Sequence, residues 1–99
     1  MASRKVVWTK EANIERKDIL EFWIDNNKSK TYSIKLNKLL IKSIKQLAEN
    51  PMIGRETSLR NVRVKIISNY LLFYQFDDIH IKVLSVWDGR RNRKKNKFL

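Results

Sequence analysis

Apolar positions along the chain repeat at two different periods, with the change falling near Asn50-Pro51. Before it, they recur every three to four residues, as on one side of a helix. After it, they alternate or run together, as in strands. The opening RKVVW (Arg4 to Trp8) reads as a short first strand. Thr9 suits a helix N-cap, and Glu11 places a carboxylate in the first turn where the helix dipole favours it. A helix is expected from about Lys10 to Asp25, with Ala12, Ile19, Leu20, Phe22 and Trp23 on its core side. Asn26-Asn27 ends it. A second helix is expected from about Ser29 to Glu49, with Leu36, Leu39, Leu40, Ser43, Ile44 and Leu47 as its apolar stripe. Lys35, Lys38, Lys42 and Lys45 share the opposite side. Ile34 and Ile41 lie beside those lysines and are read as the edge of a wide core face. Pro51 disfavours helical backbone at Asn50 and stops the helix.

The second half reads as strands. NVRVKIIS alternates Val62, Val64 and Ile66 against Arg63, Lys65 and Ile67. Ser68-Asn69 is a tight-turn signal, and YLLFYQF fits a central strand covered on both faces. Asp77-Asp78 is the next turn. IHIKVLSVW is the last strand, with Ile79, Ile81, Val83, Ser85 and Trp87 on one face. The expected fold class is therefore α+β. A helical hairpin packs on one face of a twisted antiparallel sheet of three to four strands, and the first strand joins at an edge. Residues 1–99 are expected to form one domain, with residues 1–3 and 93–99 flexible.

Charge sharpens this picture more than composition does. The 99 residues carry a net charge of +12, and six of the eight residues from Arg90 to Lys97 are basic. Such a surface attracts nucleic acid, an anionic membrane or an acidic protein. There is no cysteine and only one histidine, His80, which excludes a disulfide framework, thiolate chemistry and a histidine metal site. No metal or cofactor is expected. No apolar run approaches the length of a membrane span and nothing resembles a signal peptide, so a cytoplasmic protein without a membrane partner is expected.

Candidate chemistry is basic and aromatic. Arg63 and Lys65 project from one face of their strand. With Val62, Val64 and Ile66 assigned to the helix-packed side, the two cations fall on the open face of the sheet. There they could bind phosphates or stabilise a transferring phosphoryl group. Arg55 and Arg60 precede the same strand, and Tyr70, Phe73 and Tyr74 could stack on bases. Ordinary readings compete: a solvated charged sheet face, and tyrosines at the core edge. Asp77-Asp78 reads as turn chemistry and His80 as a half-exposed strand residue.

The order of these parts resembles the RelE/ParE superfamily of bacterial type II toxins. The likeness runs from about Lys5 to Asn92 and rests on the hairpin closed by ENPMIGRE, the stretch NVRVKIISNYLLFYQFDD and the terminus VLSVWDGRRN. It implies a growth-inhibiting toxin held inactive by an acidic antitoxin, with either the ribosome and its mRNA or DNA gyrase as target. RelE-like members are ribosome-dependent endoribonucleases, and ParE-like members poison gyrase. For the nuclease branch, Arg63, Lys65, Arg90 and Arg91 would stabilise developing charge and Asp88 would act as base. Arg55, Arg60, Tyr70, Tyr74, Arg91, Arg93, Lys94 and Lys95 are the expected target-binding residues. Two departures stand out: Tyr70 occupies about the place of a catalytic arginine of YoeB-like nucleases, and Asp88-Gly89 that of a His-Tyr or similar pair. NYLLFY and DGRRN are closer to the ParE-type pattern. The alternative is a non-toxic basic module on the same fold, binding nucleic acid or protein.

Overall fold

The computed structural model describes residues 3–90. Its elements are β1 (Lys5–Trp8), α1 (Lys10–Asn27), α2 (Thr31–Glu49), a 3-10 turn (Pro51–Ile53), β2 (Arg55–Glu56), β3 (Arg63–Ile67), β4 (Tyr70–Phe76) and β5 (His80–Asp88). The strands form one sheet in the order β1-β5-β4-β3-β2, in which β1 pairs parallel to β5 and all other pairs are antiparallel. The α+β expectation holds. The sheet has five strands, because the two-residue β2 carries too little pattern to register in the sequence.

Local chemistry explains the boundaries. The Thr9 hydroxyl accepts from the Ala12 N–H at 3.1 Å and caps α1. Lys28, in the left-handed region at φ 54°, ends it. The Ser33 hydroxyl donates to the Leu20 carbonyl at 2.9 Å, tying α2 to α1. Asp77 accepts from the N–H groups of Ile79 and His80 at 2.8 and 2.6 Å, as a turn aspartate should. Arg4 Nε donates to the Asp77 carbonyl at 2.6 Å and fastens the first strand beside the last hairpin.

Two apolar clusters lie on opposite faces of the sheet. Leu36, Leu40, Ile44, Leu47 and Ala12 from the helices meet Ile67, Tyr70, Leu72, Tyr74, Ile81, Val83 and Val86 on the helix face. Val62, Val64, Leu71 and Phe73, with Leu84 and Trp87 packed against them, form a second cluster on the open face. Side chains opposite one another across a ladder share a face. The register Val64↔Phe73 and Ile67↔Tyr70 therefore fixes β3. This reverses the expected assignment: Val62, Val64 and Ile66 face away from the helices, and Arg63, Lys65 and Ile67 face toward them. Both sets contain apolar residues, so alternation alone was ambiguous. The pairing across the Ser68-Asn69 turn decides it.

The last strand also departs from simple alternation. The pairs Phe73↔Ser85 and Tyr74↔Val83 skip Leu84, marking a bulge. Beyond it the parity shifts, so Val86 joins the helix face and Trp87 the open face. Trp87 therefore does not share a face with Ile81 and Val83, as expected from the sequence. On the helices the apolar stripe was drawn too wide. Phe22 and Leu39 are exposed, and Ile34 (51% exposed) and Ile41 are apolar surface rather than core edge.

Candidate functional site

Tyr74 shows how the fold uses residues that read as surface chemistry. Its ring is fully buried, at 0% exposure. Its hydroxyl donates to the Pro51 carbonyl at 2.5 Å and accepts from the Gly54 N–H at 2.9 Å. A Cβ on Gly54 would collide with that hydroxyl, so the close approach requires glycine. Burial raises the Tyr74 pKa above the usual phenol value, against the hydrogen bond from Gly54 and the nearby Arg63. Tyr70 is 2% exposed and accepts from the Trp23 indole N–H at 2.6 Å. Burial likewise raises its pKa. Neither ring offers a face to a base, which corrects their assignment as stacking residues.

Arg63 belongs to the same network. Its guanidinium donates to the Gly54 carbonyl at 2.6 Å and to Glu56 at 3.4 Å, and its side chain is 15% exposed. This arginine closes the loop between α2 and β3 from the helix side. Lys65 lies two residues on, half-buried on that face. Asp88 and Arg90 sit together at the other end of the sheet. Asp88 accepts from Arg90 Nε at 3.1 Å, Nη2 at 3.0 Å and the backbone N–H at 2.9 Å, a paired arrangement within one turn. That bond is the main reason the Arg90 pKa is raised further.

The expected catalytic residues are not brought to one place. Arg63 pairs with Tyr74 and Asp88 with Tyr70, on opposite sides of β4. Four residues along a strand and two strand spacings across put their Cα atoms roughly 16 Å apart. A base and a charge-stabilising donor must both reach one phosphate at hydrogen-bond distance. Arg55 and Arg60 are exposed near β3, Arg60 in a shallow cleft with Arg63, Glu56 and Phe76. Arg91, Arg93, Lys94 and Lys95 lie outside the described residues, as do residues 1–2 and 93–99 of the segments expected to be flexible.

Sequence reading missed two features. One is the Pro51–Gly54–Tyr74–Arg63 network, whose signal was a glycine three residues after a helix-stopping proline. The other is Glu15. β1 stops at Trp8, opposite Val83, so β5 lacks a strand partner there on one side. Glu15 of α1 fills the gap, accepting from the Ser85 hydroxyl at 3.2 Å and the Val86 N–H at 3.4 Å. It also borders a cleft with Asp18, Phe22, Tyr70, Asp88 and Arg90. Five of the ten acidic residues (Glu11, Glu15, Asp18, Glu21 and Asp25) lie on α1. On α2, Lys35, Lys38, Lys42 and Lys45 are all exposed. The two helices thus carry opposite charge. Among the described residues no group of metal-ligating side chains occurs, and no helix is long and apolar enough to cross a membrane.

Comparison with known proteins agrees with this architecture. The family model described as ParE toxin of type II toxin-antitoxin system, parDE, matches residues 6–93. Among solved structures, the fold is similar to one from the chromosomal ParDE toxin–antitoxin system of P. aeruginosa, with a TM-score of 0.76 and 14% identity over 87% of this chain and 96% of that one. It is also similar to the YoeB dimer from Staphylococcus aureus, with a TM-score of 0.62 and 19% identity over 87% and 97%. No curated protein gives a significant match. The family match spans nearly the whole chain, which therefore belongs to the ParE toxins of type II toxin–antitoxin systems and has an antitoxin as its partner.

Proposed function

We propose that this toxin arrests growth in the cytoplasm as a stoichiometric poison of DNA gyrase, and that it does not cleave mRNA. The observation carrying this reading is the placement of Arg63. A nuclease of this fold would need that cation directed at a phosphate. Here it serves the Gly54 carbonyl and Glu56. Asp88, the expected base, is held by Arg90 at the far end of the sheet. The ParE family match and the ParE-like NYLLFY and DGRRN stretches point the same way.

Expression of the chain alone should stop growth, and the purified protein should inhibit gyrase supercoiling while leaving mRNA on ribosomes intact in a toeprinting assay. Codon-phased cleavage on ribosomes, with supercoiling unaffected, would overturn the reading. Lys65→Ala separates the two mechanisms further. It removes an expected phosphate-facing cation without touching the Arg63 network, so toxicity should stay within about twofold of the parent. A nuclease relying on Lys65 as a charge-stabilising donor would lose on the order of 10²–10³ in rate.

A further inference from the structure

We propose that the outward side of the helical hairpin is an interface with a second copy of this chain, packed so that α1 of each copy lies over α2 of the other. Ile14, Ile34 and Ile41 are 50%, 51% and 38% exposed. At 100° per residue, Ile14, Asp18 and Glu21 lie on the side of α1 opposite the buried Ala12 and the half-buried Ile19. Lys35, Lys38 and Lys42 lie opposite the buried Leu40 on α2. Ile34 and Ile41 flank Asn37, which lines the groove between the helices with Arg16, Lys17, Leu20 and Glu21. Both helices therefore turn isoleucine and charge to the same side of their layer, away from the sheet. Apolar surface rimmed by charge is the pattern of an interaction site.

Charge selects the occupant. α1 carries three cations and five carboxylates, a balance of −2, and α2 carries four lysines and Glu49, a balance of +3. Two identical hairpins can stack face to face about a two-fold axis in two ways. With the axis across the helices, each helix covers its own copy and like charges meet. With the axis along the groove, α1 of one copy covers α2 of the other, acidic on basic, twice over. The hairpin register then fixes the contacts. Ser33 bonds the Leu20 carbonyl and Asn37 shares the groove with Arg16, so the two helices match residue for residue in opposite directions. Asp18 is thus level with Lys35, and Ile14 falls between Lys38 and Ile41. An axis along the groove keeps these levels, setting Asp18 over Lys35 of the second copy and Ile14 between its Lys38 and Ile41. Two helices of this length present a face of roughly 27 by 20 Å, so the dimer buries about 1,000 Å² in total, the lower bound for a specific interface. At about 0.15 M salt the Debye length of about 8 Å screens repulsion between the two basic bodies more than it screens pairs in contact. The inference does not depend on which target the toxin attacks.

Sedimentation equilibrium of the full chain at about 0.15 M salt should show a reversible monomer–dimer equilibrium. Asp18→Lys and Lys35→Asp each set like charges over one another twice, and each should weaken the dimer about tenfold or more. Mixing the two variants brings opposite charges together again, so a heterodimer should form that neither variant gives alone. Both substitutions in one chain should restore the homodimer for the same reason. The two positions are exposed, and circular dichroism checks that the helices are retained. A chain that stays monomeric at its highest soluble concentration would overturn the proposal. So would mixed variants that remain monomeric, or a dimer indifferent to both reversals, which would put the contact elsewhere. Loss of antitoxin binding on Lys35→Asp, in a chain that never dimerises, would assign the face to the antitoxin instead.

Discussion

The Tyr74 hydroxyl bridges Pro51 and Gly54, and one oxygen atom thereby sets the path from α2 into the sheet. Tyr74→Phe keeps the ring's packing but strands the Gly54 N–H and the Pro51 carbonyl in a closed interior. The expected loss of stability is about 1–3 kcal/mol, read from urea unfolding. The same substitution should change the alkaline limb of stability. Burial holds the folded-state pKa of Tyr74 above the ordinary phenol value of 10.0. Its contribution is thus fully present below pH 10 and is lost as pH rises through the folded value. The Phe variant should lose less stability between neutral pH and strong base than the parent. An equally steep alkaline loss in both would show that other groups dominate there. The hydroxyl's partners were not visible in the sequence, where Tyr74 read more readily as core edge than as surface aromatic. Burial was settled by a partner in a different segment, and residue spacing carries no information about that.

At the scale of elements, the β3–β4 hairpin governs which chemistry faces which way. Its turn holds Ser68 at φ 57°, the sign that the first central residue of a type II′ turn requires and that glycine meets without strain. Ser68→Gly should stabilise the protein by about 0.5–1 kcal/mol, seen as a raised midpoint in thermal unfolding. A lowered midpoint would mean that the serine side chain contributes more than its backbone costs. The element order was legible from period and caps: both helices, the Thr9 cap, the Pro51 stop and four of the five strands read directly from the sequence. Facing was less legible. Ile66 and Ile67 are adjacent and both apolar, so β3 could present either parity to the helices. The bulge near Leu84 then shifts the parity of β5, and a bulge leaves no residue-type signature here. The expected catalytic set failed on distance: Arg63 and Lys65 share the helix side of β3, and Asp88 lies at the other end of the sheet, its Cα roughly 16 Å from that of Arg63.

The whole molecule is a charged body with an uneven distribution. Its net charge is +12, yet half its carboxylates are gathered on α1 while α2 shows four exposed lysines. An antitoxin that recognises it has both a cationic and an anionic helix to read, with Ile34 and Ile41 exposed beside the lysines. Binding should weaken with salt. Between about 0.1 M and about 1 M the Debye length falls from about 10 Å to about 3 Å, and the dissociation constant for an acidic antitoxin should rise roughly tenfold or more. Titration calorimetry across that range checks it, and a flat salt response would shift the recognition to the apolar surface. Net charge was legible in the sequence. Its distribution between the two helices needed the hairpin geometry.

The parallel pairing of β1 with β5 has a consequence in time. The first strand made by the ribosome must wait for the last described strand, and that strand lies inside the sheet, between β1 and β4. Contacts so distant in sequence slow folding. At synthesis rates of about 5–20 residues per second, β1 and the helical hairpin spend several seconds without the strand they pack against. The sheet therefore cannot close while the chain is being made. The interval before β5 arrives also leaves the apolar side of α2 open, and an antitoxin already present could meet its toxin there before the toxin is complete.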